Sequence, residues 1–175
     1  MMDAVLLRPW RADDRYALVA LLSRVDRTYL SSRLADPFTE EAAQNWLDNV
    51  AQKEGRRGVY RAILRENQVV GCIYAEMQDF PEGARDSTLS CFLARESCGL
   101  GLGGRALREL TALAFAQLPV LRLTAWICAP HLPSCRMAER AGYTREALLR
   151  QAAAHGEENW DLCIYGKLRT EQEET

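Results

Sequence analysis

The chain is poor in the residues that metal chemistry and disulfide scaffolds require. It has two histidines, His131 and His155, and six cysteines with no C-x-x-C pair. That leaves little from which to build a zinc site, and no metal is expected. Cys72, Cys91, Cys98, Cys128, Cys135 and Cys163 stand singly in apolar stretches and read as reduced, mostly buried small hydrophobes. There is no surplus of either charge: the formal net charge is -2, which lacks the basic footprint of a DNA-binding protein, so no DNA partner is expected. Nor does any apolar run reach the roughly 18 residues of a membrane helix. The opening "MMDAVLLRPW" carries Asp3 where a secretion signal would be basic and breaks at Arg8. No membrane partner is expected, and the cytoplasm is the expected location.

What is present is ordinary for a globular chain: 48% hydrophobic and 26% charged residues over 175 positions, enough for one domain spanning 1–175 with 170–175 as a solvated tail. "AVLLRPW" reads as a strand ending near Pro9. "DDRYALVALLSRV" reads as a helix burying Tyr16, Leu18, Val19, Leu21 and Leu22. Thr39 is placed to cap a second helix, "EEAAQNWLDNVAQ", with Glu40 and Glu41 where the helix dipole favours acids. "GVYRAILRENQVVGCIYAEM" reads as a hairpin turning at Glu66 to Gln68, and "STLSCFLA" as a further strand. Leu107, Leu110, Ala114 and Leu118 recur at helical spacing up to Pro119. "VLRLTAWIC" then makes a strand–helix–strand unit, which demands a crossover and a parallel pair. "PSCRMAERAGY" is a short helix from Pro133 to Gly142, "EALLRQ" and "NWDLCIYGKL" are two more strands, and "RTEQEET" is a solvated end.

Between the "STLSCFLA" strand and the helix that follows, four glycines fall within six positions: Gly99, Gly101, Gly103 and Gly104. A P-loop needs Lys followed by Ser or Thr after its last glycine, and here Arg105 and Ala106 follow. A dinucleotide turn begins at the end of its strand and needs an acid about 20 residues on, which "LPVLRLTAW" does not supply. The remaining use is a nest of bare backbone amides at a helix N-terminus, aimed at a diphosphate. A tight turn with close packing and no ligand is the alternative. Each glycine within the helix costs about 0.5–1 kcal/mol against alanine, which makes four of them costly as mere spacers.

"RESCGLGLGGRAL" resembles the acetyl-CoA loop of the GNAT superfamily of N-acetyltransferases, with Gly101 and Gly103 at its two fixed small positions and Cys98 where a Gln or Arg usually stands. "LLRPWRADD", "VVGCIYAEM", "HLPSCRMAERAGYTREALLR" and "WDLCIYGKL" are similar, in order, to segments of the Rim-type branch, which acetylates protein N-termini. The resemblance implies an α/β fold in which a mixed, mostly antiparallel seven-stranded sheet with a splayed parallel pair is flanked by helices. It implies acetyl-CoA as cosubstrate. Phe92, Leu93 and Ala94 would offer backbone groups to pantetheine, with a strand N–H near Phe92 stabilising the oxyanion. Cys98, Gly99, Leu100, Gly101, Leu102, Gly103, Gly104 and Arg105 would surround the diphosphate, with Arg136 reaching phosphates. Ser134 matches the serine that protonates the leaving thiolate, or else caps its helix. His131 replaces the family's asparagine on the cofactor side. Tyr143 reads as core rather than as the acid.

The general base is not fixed by the resemblance, because Thr88 stands where a glutamate is often found. Glu76 and Asp86 are distant candidates to act through water. The acceptor's own chemistry matters here. At pH 7.5 an α-amine of pKa about 7.8 is roughly one-third neutral, whereas a lysine of pKa about 10.4 is only about 0.1% neutral. The expected acceptor is therefore a peptide N-terminus attacked directly. A small amine of aminoglycoside or polyamine type, and a non-catalytic acyl-CoA sensor, are the alternatives. The acids around Glu40, Glu41, Asp79, Glu82 and Asp86 suit a cationic acceptor or merely a solvated face, and a homodimer is possible.

Overall fold

The computed structural model describes residues 6–30, 34–79 and 85–172. Its elements are β1 (Leu6–Pro9), α1 (Arg15–Leu22), α2 (Glu40–Lys53), β2 (Gly58–Arg65), β3 (Gln68–Met77), β4 (Asp86–Leu93), α3 (Leu102–Gln117), β5 (Arg122–Cys128), α4 (Leu132–Arg140), β6 (Thr144–His155) and β7 (Glu158–Leu168). The strands form one sheet in the order β1-β2-β3-β4-β5-β7-β6. All neighbours are antiparallel except β4 and β5, the pair joined through α3. This is the mixed seven-stranded α/β arrangement that the family resemblance implies.

Strand alternation gives the sheet two buried faces. On one, Ile63, Ile73, Leu89 and Leu123 meet Leu107, Leu110, Ala114 and Phe115 of α3 and Ala138 of α4. On the other, Ala62, Leu64 and Cys72 meet Leu18, Leu21 and Leu22 of α1 and Ala43 and Leu47 of α2. Helix starts follow local chemistry: Thr39 Oγ1 accepts the Ala42 N–H at 3.1 Å, satisfying one of the donors a helix start leaves free. Glu40 and Glu41 occupy the first turn.

Several expectations are corrected. Tyr16 is 58% exposed and its hydroxyl takes the Arg15 guanidinium at 2.8 Å, so α1 buries a narrower stripe. The hairpin turns on Glu66 and Asn67, both at positive φ, and Gln68 already pairs with Arg65 in the ladder. Cys98 is exposed, while Cys72, Cys135 and Cys163 are buried. The end of the chain is less solvated than "RTEQEET" suggests: Arg169 donates to Val120 O and Leu118 O, both at 2.9 Å, and lies 5.4 Å over the Phe115 ring. Glu82 and residues 173–175 lie outside the described residues.

Candidate active site

The parallel pair is short. β4 and β5 are in register only from Asp86–Arg122 to Leu89–Ala125, and beyond that the two strands form a fork. Which backbone groups face the gap follows from the outer ladders. On the β3 side, Ala94 N–H donates to Val70 O (2.8 Å) and Gln78 N–H donates to Asp86 O (3.0 Å), in a ladder with no register shift. Backbone groups alternate edges in twos, so those of Ser90, Phe92 and Ala94 point at β3 and those of Cys91 and Leu93 point into the fork. On the far arm, Ala129 N–H donates to Asp161 O and Arg169 N–H to Leu121 O, which turns Trp126 and Cys128 toward the gap. This corrects the expectation for Phe92 and Ala94: their amides belong to the β3 ladder, and only Leu93 of the expected three faces the opening. Ala94 is also bridged by Val25 from the α1–α2 connection.

The glycine loop sits at the mouth of the fork. Gly99 and Gly101 take φ of 76° and 77°, the left-handed region, and a Cβ on either would meet nothing within 4 Å. Their role is conformational. Gly103 serves a different end: a Cβ there would fall 2.8 Å from Met137 Sδ, so the glycine lets α3 pack against α4. Gly101 is the N-cap of α3, whose first internal bond runs from Arg105 N–H to Gly101 O at 3.3 Å. Cys98 N–H is taken by Arg95 O, whereas the amides of Gly99, Leu100, Gly101, Leu102, Gly103 and Gly104 donate to no acceptor among the described residues. A 16-residue helix thus presents its positive end and a run of unclaimed N–H groups beside an open sheet edge. Those residues fit the diphosphate of coenzyme A.

Across the mouth, the start of α4 carries the second group of expected residues. Ser134 Oγ lies 3.3 Å from His131 Nε2. His131 is the N-cap of α4 and Pro133 occupies its first turn. Ser134 makes no capping bond, so the helix-cap reading is overturned: the hydroxyl is already inside the helix and turns back to the imidazole. The His131 ring stacks on Tyr29 with centroids 4.2 Å apart and planes at 8°. Burial holds its pKa below the ordinary histidine value, partly offset by Asp26. Tyr29 comes from the α1–α2 connection and carries no local signal in the sequence. Arg136 is exposed and Arg105 half-buried. Tyr143 is buried and its hydroxyl meets Thr111 Oγ1 at 2.6 Å, in the core as expected.

Glu76 lies opposite Thr88 in the β3–β4 ladder. Its Oε1 takes Lys53 Nζ at 2.5 Å and its Oε2 takes the Tyr60 hydroxyl at 2.7 Å. Burial and the Glu76 carboxylate together raise the Tyr60 pKa, keeping that hydroxyl a donor. Thr88 is two residues, about 7 Å of strand, from Ser90 at the start of the fork. Asp86 is further down the strand, accepting from Thr124 Oγ1 at 2.7 Å; burial raises its pKa against the lowering effect of that bond and of Arg122. One feature the sequence concealed is Trp126. No motif singles it out in the sequence: it shares its strand face with Arg122 and Thr124, and it is 54% exposed. Register puts Trp126, Ile164 and Leu162, with Ala147 and Leu149, on the sheet face shared with Phe92, beyond the cover of α1 and α2.

Solved structures repeat this architecture. The ribosomal-protein-S5-alanine acetyltransferase from Vibrio fischeri superposes with a TM-score of 0.85 at 15% identity, covering 99% of this chain and 98% of that one. RimL, a ribosomal L7/L12 alpha-N-protein acetyltransferase in complex with coenzyme A, superposes at 0.81 with 16% identity, covering 94% and 93%. A spermidine N-acetyltransferase chimera from Vibrio cholerae and hSSAT reaches 0.78 with 12% identity, covering 95% and 96%. At such identities the likeness is one of fold. The sequence profile of the "Acetyltransferase (GNAT) domain" family matches residues 4–144. That match spans both arms of the fork and the glycine loop between them, and the chain belongs to the GNAT acetyltransferase family.

Proposed function

We propose that the chain transfers acetyl from acetyl-CoA to the α-amine of a peptide N-terminus by direct attack. When bound, acetyl-CoA supplies an acetyl group activated as a thioester. The unclaimed amides of residues 99–104 hold its diphosphate, with Arg105 next to them in the chain and Arg136 next to Met137, which packs on Gly103 and Gly104, to serve the phosphates. Cys91 and Leu93 offer the backbone edge for pantetheine in the manner of an added strand, and the Cys91 N–H replaces that of Phe92 as the donor to developing negative charge. Ser134 gives a proton to the leaving thiolate. Both Glu76 oxygens are engaged but keep lone pairs, so the carboxylate acts on the amine only through water.

The observation that carries the acceptor assignment is the apolar strip beside the fork, where exposed Trp126 and Leu149 flank half-buried Leu162 and Ile164. A strip of this kind suits the first side chains of a peptide better than a polycation or an aminoglycoside. The Glu76 carboxylate, tied to Lys53 and Tyr60, also suits an amine that is partly neutral without help. A panel of peptides, polyamines, aminoglycosides and lysine side chains tests the reading. Peptide N-termini are expected to turn over fastest, and Trp126→Ala is expected to raise the peptide KM about tenfold, from roughly 1–2 kcal/mol of lost apolar contact, with the acetyl-CoA KM unchanged. Faster acetylation of polyamines or lysine side chains refutes the assignment, and coenzyme binding without any turnover makes the chain an acyl-CoA sensor.

A further inference from the structure

We propose that His131 is a positioning residue that acts through Ser134: it fixes the serine hydroxyl at the mouth of the fork and replaces the proton that the hydroxyl gives to the departing thiolate. This rests on the reading of the fork as the acetyl-CoA site. A serine is a poor acid by itself, because losing its proton leaves an alkoxide. A neighbour that returns a proton to Oγ as the first one leaves removes that cost, and His131 Nε2, 3.3 Å away, is placed to do so.

The ring is held for the task. Its backbone N–H donates to Cys128 O at 2.8 Å, at the end of one arm of the fork. Tyr29, stacked flat against it, belongs to the segment that Val25 bridges to Ala94 at the end of the other arm. Arg24 reinforces that tether: its carbonyl accepts the Arg95 N–H at 3.0 Å and its guanidinium meets Glu96 at 2.7 Å. The Tyr29–His131 stack therefore spans the opening from one arm to the other. Trp160 of β7 lies tilted 5.3 Å from Tyr29 and carries His155 stacked at 3.9 Å, which makes His155 the other titratable ring of the group. Glu158 accepts from Trp160 Nε1 at 3.0 Å. Asp26 is the charge that acts on His131, with Arg95 acting in turn on Asp26.

The proton balance is closed. The C–N bond forms and the C–S bond breaks; the amine gives one proton to solvent; sulfur takes the Ser134 proton; Oγ takes the Nε2 proton; neutral His131 regains one from water. Burial, which lowers the His131 pKa, makes the imidazolium a stronger acid than free histidine. The transfer runs downhill toward a thiol of ordinary pKa about 8.5. The pathway needs protonated His131 and a neutral amine. Wild-type kcat/KM for a peptide is then expected to rise with pH up to the lowered His131 pKa, stay level to about 7.8, and fall about tenfold per pH unit above it. Without the imidazole only the amine titrates, and the profile rises to about 7.8 and stays level.

His131→Asn keeps a hydrogen-bonding side chain beside Ser134 and loses the proton. It is expected to lower kcat about tenfold at pH 7, leave the acetyl-CoA KM within about twofold, and abolish the fall above pH 7.8, with Ser134→Ala giving the same flattened profile. A readout independent of turnover is the NMR titration of His131 in the ligand-free protein: a pKa below the ordinary value that moves in Ser134→Ala. A basic limb retained in His131→Asn, or a His131 titration indifferent to Ser134→Ala, overturns the inference. Failure of the wild type to bind coenzyme A by calorimetry overturns the acetyl-CoA reading and this inference with it, whereas binding with an unchanged His131→Asn profile overturns this inference alone.

Discussion

Gly101→Ala isolates what the glycine loop does. Gly101 sits at φ 77°, ψ 0° as the N-cap of α3, and an added Cβ meets nothing within 4 Å. The substitution therefore carries no steric term, only the cost of holding an L-residue in the left-handed region, about 1–2 kcal/mol. Two routes are open to the variant. It keeps the loop shape and loses that stability, or it relaxes to negative φ and turns the amides of Leu100 and Leu102 away from their common target. Binding requires the first shape, so the acetyl-CoA affinity falls by about 5- to 30-fold when the loop relaxes. Gly55→Ala is the control. Gly55, in the turn before β2, has φ 70° and an equally open Cβ position, far in sequence from the fork. Calorimetric titration with acetyl-CoA, paired with thermal unfolding, separates the cases. Gly55→Ala is expected to lower Tm by about 2–8 °C with unchanged affinity. Gly101→Ala is expected to lose affinity. Two variants that differ only in stability, both binding acetyl-CoA like wild type, would refute the role given to the loop.

Other consequences concern stability. Burial alone pushes the Asp14 carboxyl up, but Arg8 at 2.6 and 2.7 Å and the Arg11 N–H at 2.8 Å outweigh it and hold its pKa below the carboxylate range. A depressed folded pKa means that this stabilisation is complete above about pH 4 and disappears as pH falls through the folded value. Asp14→Asn is expected to cost about 2 kcal/mol at pH 7 and to lessen the acid-induced loss, measured by denaturant titration at pH 7 and pH 3. Arg169→Ala removes two bonds to carbonyls and a contact with Phe115; a loss of about 1–3 kcal/mol in urea unfolding is expected.

Much of the scaffold was legible because its signals are local. Thr39 ahead of Glu40 and Glu41, the spacing of Leu107, Leu110 and Ala114, and the crossover forced between "STLSCFLA" and "VLRLTAWIC" each bear on one element or one link. The site was less legible because it depends on register. A period-two pattern tells which face Phe92 shares with its neighbours; it does not tell which strand edge takes the Phe92 N–H, and the β3 ladder decides that. Trp126 carries no motif, and alternation, which groups it with Arg122 and Thr124, cannot reveal that α1 and α2 stop short of β5. Tyr29 stands in a connection without periodicity, and its stack on His131 joins segments about a hundred residues apart. Arg169 looks solvated in the sequence because nothing near it announces the carbonyls of Leu118 and Val120 that take its guanidinium.

The most direct test is an amide-resolved NMR titration of the wild-type protein with coenzyme A. The largest shifts are expected at Gly99, Leu100, Gly101, Leu102, Gly103 and Gly104, with a second group at Cys91, Leu93, Trp126 and Cys128 on the two arms of the fork. Saturating coenzyme A that leaves these amides unmoved, or that moves Phe92 and Ala94 in place of Cys91 and Leu93, contradicts the account.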